Sequence, residues 1–343
     1  MAFLEDVHDQ PEVLRRLVAA YRGEEAGTLA RAVERLAATG SAPVLVIGMG
    51  SSLSAGRAFA GATERTVVLE DAGEILHYGL DRASRFGAVV AFSQSGRSYE
   101  TVAAVERLRG LAPALPAVAV VNDLASPLAA AADVALPLLA GSEANVATKT
   151  YVASVGVALM LARGGLDDAL ASDLLRAADA MEALAASGAG EAGAAFLGDC
   201  PGMIVIGRGP ALGAAHYAAL TTKESAARSV EAMTGGAFRH GPLELVGATT
   251  GVVVIAPDGP TTTLGAALAR ETAGLGSPTW LIGGPADGTG APRLLVTPLP
   301  ELPEALAALA AVVPLQVAAA GYARAAGREP GMTRIATKVT DRE

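Results

Sequence analysis

"APVLVIGMGSSLSAGRAFA", residues 42–60, recurs about 160 residues later as "CPGMIVIGRGPALGAAHYA", residues 200–218. Each copy opens on an apolar run, turns at a Gly-x-Gly and continues with Ala and Gly at helical spacing. Working outward, "GAVVAFSQSG" (87–96) pairs with "TGVVVIAPDG" (250–259), and "DVALPL" (133–138) with "LLVTPL" (294–299). Glu143, after the first "PL", has a counterpart in Glu304 after the second. Blocks that agree in order and offset read as one unit written twice, and a period of this length sets the fold before any single motif does.

Within each half, continuous apolar runs such as "VLVI", "AVVAF", "AVAVV" and "GVVVIA" alternate with longer Ala/Leu/Arg/Glu helical patterns. Uninterrupted Val/Ile strands are what a parallel sheet covered on both faces requires. The expectation is an α/β fold: two tandem doubly wound parallel-sheet α/β/α sandwiches, flavodoxin-like and related by internal duplication. The boundaries read as a helical segment at 1–30, a first domain at 31–165, a helical linker at 166–198, a second domain at 199–326 and a polar tail at 327–343.

Bulk properties exclude several classes. The chain has 343 residues, 51% hydrophobic but 4% aromatic, with a mean hydropathy of +0.40. Its apolar runs, Tyr151–Ala162 with Gly156 inside and Ala305–Leu315 with Pro314, fall short of the roughly 20 residues a membrane span needs. No signal-peptide pattern opens the chain. A soluble cytoplasmic protein with no membrane partner is expected. A net charge of −9 without a basic cluster argues against nucleic acid. One cysteine, Cys200, and four histidines without metal-ligand spacing predict no metal and no disulfide within the chain.

"FSQSGRSYET" (92–101) asks for a function. It places Ser93, Gln94, Ser95 and Ser98 beyond the carboxyl end of a strand, where helix N-termini point their free N–H groups. Such an array of hydroxyl, amide and backbone donors suits a phosphate monoester without a lysine. Gly50 and Ser52, in "GMGSS" (48–52), end the first strand of the same half and can face the same crevice. No Walker A lysine follows, and Gly48-Met49-Gly50 is next followed by Gly56, so the dinucleotide fingerprint fails and no cofactor is expected. Ser and Gly could serve only as turns and caps. The second-half loop, "APDG" (256–259), keeps the glycine and lacks the hydroxyls, which points to one phosphate site, in the first half.

Taken together, "GMGSSLSAG", "FSQSGRSYET", "AGSEANVATKTY", "ALTTKESAARSVEAMTGGAFRHGPLEL" and "ATKVT" resemble the SIS (sugar isomerase) family over nearly all of residues 30–343. They resemble in particular the isomerase half of glutamine–fructose-6-phosphate aminotransferase and the stand-alone amino-sugar-phosphate deaminases and isomerases. The resemblance implies phosphate binding by Ser52, Ser93, Gln94, Ser95 and Ser98. It implies an enolising base at Glu224, a ring-opening histidine at His240 contributed across a homodimer interface, and a carbonyl-directed lysine at Lys338 or, one position off, Thr337. It puts sugar-contacting backbone near Val146. The tail would then fold over the active site. Departures are the absence of a glutaminase domain with its nucleophilic cysteine, Arg97 beside the phosphate loop, Ala237 in place of a frequent Glu, and an "NVATK" one residue short.

These residues also have plainer readings. Glu224 could be a helix-surface carboxylate paired with Arg228 at i,i+4, or a base whose pKa rises by burial. His240 precedes Gly241-Pro242, a turn that can present an imidazole to a cleft. His216 reads as packed. Glu231 recurs as Glu70 in the first half, which suggests a repeated structural role. Arg97 is a phosphate ligand or a solvent-facing residue. The function expected is a phosphosugar isomerase or amino-sugar-phosphate deaminase acting on a hexose or hexosamine 6-phosphate. The alternatives are a non-catalytic sugar-phosphate-binding regulatory protein and a fructosamine-phosphate deglycase.

Overall fold

The computed structural model describes residues 2–285 and 292–338. They fall into two compact units, each built on one five-stranded parallel sheet. Among the described residues, the first-sheet unit comprises 12–142, 149–172 and 336–338; the second-sheet unit comprises 2–11, 143–148, 173–285 and 292–335. Residues 2–11 and 143–148 cluster with the second sheet.

The first sheet contains β1 (Val44–Gly48), β2 (Val67–Asp71), β3 (Ala88–Ser93), β4 (Ala117–Val121) and β5 (Val134–Pro137), in the order β2-β1-β3-β4-β5. β1, β3 and β4 are buried along their whole length, as their unbroken Val, Ile and Ala content requires. β2 is half-buried throughout and lies at the edge. The helix Lys149–Ala162, apolar all round, is buried over nearly all its length.

The second sheet contains β6 (Gly202–Gly207), β7 (Ser229–Thr234), β8 (Thr250–Ala256), β9 (Thr279–Gly283) and β10 (Leu294–Thr297), in the order β10-β9-β8-β6-β7. Read from the other edge this is the order of the first sheet, consistent with duplication. Registers agree across the halves: Gly48 pairs with Phe92 and Ile47 with Ala91, while Ile206 pairs with Val254. Trp280, fully buried in β9, donates its indole N–H to Thr297 Oγ1 on β10 (2.9 Å).

Two expectations are corrected. Glu70 and Glu231 are not equivalent. Glu70 pairs with Ile47, one residue before Gly48, whereas Glu231 pairs with Ile204, three residues before Gly207. The true counterparts are Asp71 and Thr234, each closing its strand and capping the following helix, through Gly73 N–H (2.8 Å) and Ala237 N–H (3.1 Å). The apolar run at 305–315 also does not stop at Pro314. That proline lies in the first turn of the helix Val312–Ala325, where no donor is missed. Together with Glu304–Ala310 it gives 22 residues apolar and long enough to cross a membrane, but 89% of the most apolar window is buried within the protein.

Candidate functional site

The crevice beyond β1 and β3 is built from backbone geometry first. Gly96 sits at φ +63°, and a Cβ there would lie 2.0 Å from Ser126 Oγ, so the position admits no side chain. The Gly96 N–H donates to Ser93 Oγ (3.1 Å), and the Gly96 carbonyl accepts from Leu128 N–H (3.0 Å). The Gln94 carbonyl accepts from Asn122 N–H (3.0 Å). The loop is thus tied on both sides before any ligand arrives.

Its side chains are left with donors to offer. Ser93 Oγ lies 3.4 Å from Ser98 Oγ, and Ser95 Oγ accepts from Arg97 N–H (3.1 Å) with its own hydrogen uncommitted. The Ser52 hydroxyl and the Gln94 amide make no hydrogen bond among the described residues. A Cβ at Gly48 would come within 2.9 Å of the Phe92 carbonyl, so the loop after β1, with Gly50 and Ser52, runs close beside the end of β3. The helices Gly50–Ala62 and Tyr99–Leu111 both start without a side-chain cap, which leaves N–H groups of their first turns for an anion.

Arg97 points elsewhere. Its guanidinium pairs with Asp123 at 2.8 Å, both side chains roughly half exposed. That hydrogen bond is the main reason the Asp123 carboxyl is held below its ordinary range.

The second half uses the same frame differently. By register, Ser52, Ser93, Gln94, Ser95 and Ser98 correspond to Ala211, Ala256, Pro257, Asp258 and Thr261. Gly259 is outside the left-handed region that Gly96 occupies. It is small for another reason: a Cβ there would lie 2.6 Å from the Glu304 carboxyl carbon. Glu304 Oε1 also approaches to 3.7 Å of a Cβ at Gly209. The Glu304 carboxyl therefore rests on the loops that end β6 and β8, and burial pushes its pKa up. The Gly259 N–H is already taken by Thr262 Oγ1 (2.8 Å). Glu143, the counterpart of Glu304 by spacing, instead accepts from the Thr148 N–H (3.0 Å) and hydroxyl (3.3 Å).

Glu224 lies in the last turn of the helix Pro210–Ala226 and is half-buried. The expected pairing with Arg228 does not form. Ala227 takes a left-handed conformation (φ +52°) and ends the helix, so Arg228 is not one turn further along it. The Arg228 guanidinium donates to the carbonyls of Cys200 (2.9 Å) and Gly198 (2.7 Å) and stacks 4.5 Å from the Tyr322 ring centroid. Glu224 is left without a hydrogen bond or ion pair among the described residues, and burial pushes its carboxyl from 4.5 to about 7. A carboxyl with that pKa can both take and return a proton near neutrality.

His240 closes the short helix Gly235–Arg239 and is exposed, with Gly241-Pro242 making the expected turn into the 3-10 segment Pro242–Leu245. Lys338 and Thr337 are exposed and lie in the first-sheet unit, while Glu224, His240 and Val146 lie in the second-sheet unit. Val146 is buried, and its N–H donates to the Gly331 carbonyl (3.2 Å). Among the described residues no group of His, Cys, Asp and Glu could hold a metal ion.

Residues 40–163 match the family model described as the SIS domain. That segment is a SIS domain. Glutamine–fructose-6-phosphate aminotransferase (isomerizing) of Aeropyrum pernix is 32% identical over 292 residues, 79% of this chain and 46% of that protein. This SIS-domain chain spans about half the length of the curated relatives it matches. Among solved structures, tagatose-6-phosphate ketose/aldose isomerase from Escherichia coli superimposes with a TM-score of 0.85 at 20% identity, covering 98% of this chain and 96% of that one. Glucosamine-6-phosphate deaminase from Thermotoga maritima gives 0.75 at 19%, covering 99% of each. At these identities the two structures establish a shared double-sheet SIS fold.

Sequence reading did not find the Glu304 carboxyl on Gly259, the left-handed Ala227 or the true role of Arg228. Only the left-handed residue had a local signal, the short "SAARS" after the helix, and alanine is not a residue that marks such a turn.

Proposed function

We propose that this chain binds a hexose or hexosamine 6-phosphate through the first-half crevice and moves a proton between C1 and C2 of the sugar. The observation that carries the reading is Glu224, a half-buried carboxyl without a partner among the described residues, whose pKa is pushed up to about 7. A regulatory binding module would have no use for so costly a group.

In this reading the phosphate is held by the hydroxyls of Ser52, Ser93, Ser95 and Ser98, the Gln94 amide and the helix N–H groups beyond Gly50 and Gly96. His240 passes a proton to the ring oxygen and opens the sugar. Its exposure suits a residue contributed to the site of a second copy, which makes the working unit a homodimer. Lys338 polarises the C2 carbonyl or condenses with it. Glu224, deprotonated, takes the proton from one carbon and returns it to the next through an enediol or, for an amino sugar, an enolamine. No cofactor enters the scheme. Phosphosugars do not cross a bilayer unaided, so the reading places the protein in the cytoplasm.

The names of the relatives bear on the reaction. The aminotransferase is named for fructose 6-phosphate, the deaminase for glucosamine 6-phosphate and the ketose/aldose isomerase for tagatose 6-phosphate. The discriminating experiment is incubation with glucosamine 6-phosphate, galactosamine 6-phosphate and fructose 6-phosphate, with ammonia and ketose followed by NMR. Ammonia release means a deaminase, and exchange without ammonia means an isomerase. Binding of all three without turnover overturns the catalytic reading in favour of a sensor. A fourth incubation, with fructosamine 6-phosphate, indicates a deglycase if that compound alone is turned over.

A further inference from the structure

A continuous polar chain with buried side chains runs through the second-sheet unit, and neither the phosphate crevice nor the proton shuttle uses it. Gln10, in the N-terminal helix Ala2–Arg22, and Gln316, in the helix Val312–Ala325, are 0% and 1% exposed. Their amides are paired face to face: each Nε2 donates to the other's Oε1 at 2.8 Å. The second hydrogen of Gln10 goes to the Val7 carbonyl (3.0 Å), and that of Gln316 goes to Tyr217 Oη (2.6 Å). Tyr217, itself 0% exposed, donates its hydroxyl hydrogen to the Ala147 carbonyl (2.7 Å).

The direction of every bond in this chain is forced. Each amide nitrogen has two hydrogens and both are used, so Tyr217 must accept from Gln316 and donate to Ala147. A fully satisfied network in a low-dielectric interior is stiff, and one with a member removed is costly. Burial raises the Tyr217 pKa, so the hydroxyl remains a donor across the working pH range. The carboxylates of Glu143 and Glu224 act on Tyr217 in the same sense.

The end of the chain is the segment Glu143–Thr148, which carries Val146. The same segment is held by Asp6 Oδ2, which accepts from Ala144 N–H (2.7 Å), and by Asn145 Nδ2, which donates to Thr333 Oγ1 (3.1 Å). Tyr217 sits seven residues, two turns, before Glu224 on one helix. It joins the helix that carries the base to the segment that carries Val146.

We infer that Tyr217, locked by Gln316 and Gln10, is a positioning residue that fixes the 143–148 segment relative to Glu224. The inference rests on the function proposed above. It adds a role for the N-terminal helix, whose Asp6 and Gln10 both end on this segment, directly or through the chain.

The test is Tyr217→Phe in the full-length protein, read three ways. Amide hydrogen exchange at Val146–Thr148 should rise at least tenfold while β6 and β8 stay protected. The kcat on the substrate identified above should fall about tenfold to hundredfold, the scale of a misplacement near 1 Å. KM should change less than about threefold, because the phosphate loops are untouched. If Tyr217→Phe fails to fold, Asp6→Ala should give the same three changes in weaker form, and Asp6→Asn, which keeps an acceptor oxygen, should restore kcat. Unchanged kcat in a folded variant with a lowered Tm overturns the inference and leaves the proton-shuttle reading standing. A wild-type protein without turnover sinks that reading first, and the positioning role with it.

Discussion

The crevices at the tops of the two sheets have the same strand order beneath them and opposite chemistry above. The first presents donors: the Ser52 hydroxyl and Gln94 amide without partners among the described residues, the Ser95 hydroxyl, and two helix starts without side-chain caps. The second presents acceptors. Ala211 and Ala256 offer nothing, Pro257 lacks even an N–H, and the carboxyls of Asp258 and Glu304 occupy the loop ends. A phosphate monoester entering the second crevice would meet one carboxylate in the Ser95 position and another on Gly259. The two sheets supply like frames, and four side-chain positions decide which of them can take an anion, since Thr261 keeps a hydroxyl in the Ser98 position. The second half has instead the helix that buries Glu224.

The sharpest break between the halves is predicted for Glu224→Gln. Phosphosugar binding should persist within about threefold while turnover falls about 10²- to 10⁴-fold, the range for loss of a general base; unchanged turnover removes Glu224 from the mechanism. The wild-type rate should rise with pH through about 7, as the carboxyl loses its proton. Stability runs the other way. A folded-state pKa above the unfolded one means the native state binds more protons between 4.5 and about 7, so stability present below 4.5 is lost as pH rises through 7. The full shift corresponds to roughly 3 kcal/mol as an upper bound, reduced because solvent still reaches the half-buried group. Thermal denaturation of Glu224→Gln should therefore show a Tm above wild type at pH 8 and little difference at pH 4.

Next in size is glycine against glycine. Gly96→Ala combines a left-handed φ with a Cβ 2.0 Å from Ser126 Oγ, so it should cost about 2 kcal/mol or more and raise KM over tenfold. Gly259→Ala meets only the far end of the Glu304 side chain, which can swing away, and should leave KM within twofold. Equal effects on KM would mean the second crevice also binds substrate.

The parts of this arrangement that could be read from sequence are those written locally. Unbroken runs such as "VLVI" and "GVVVIA" announce buried parallel strands because both faces must be apolar. "SQSG" announces its turn because only glycine tolerates the conformation at position 96. The parts that stayed hidden are long-range. Glu304 reaches Gly259 from 45 positions away, Arg228 stacks on Tyr322 from 94, and Gln10 meets Gln316 across 306. Glu70 and Glu231 show the opposite failure: two glutamates at matching sequence offsets sit two residues apart in sheet register, because a short insertion moved one of them. Composition and spacing cannot distinguish a carboxylate that caps a helix from one that fills a crevice.

Smaller effects test the comparison at single side chains. Ser95→Ala removes one donor to a charged group, worth about 1.5–3 kcal/mol, and should raise KM about tenfold to hundredfold, whereas Asp258→Ala at the matching position should not raise it. The smallest effect is expected at Arg97. It stands beside the phosphate loop and carries the only charge of the matching sign nearby in "SQSGRS", which makes it the obvious ligand by sequence. The structure commits it to Asp123 at 2.8 Å, on a solvent-exposed pair of a kind that contributes little to stability. Arg97→Ala should leave Tm within about 1 °C and change KM less than threefold at 0.15 M salt, where exposed charges are screened beyond about 8 Å. A tenfold rise in KM that vanishes at high salt would show Arg97 leaving Asp123 for the phosphate when substrate binds. The donor array would then be incomplete without a cation, and the first crevice would differ from the second by charge as well as by hydroxyls.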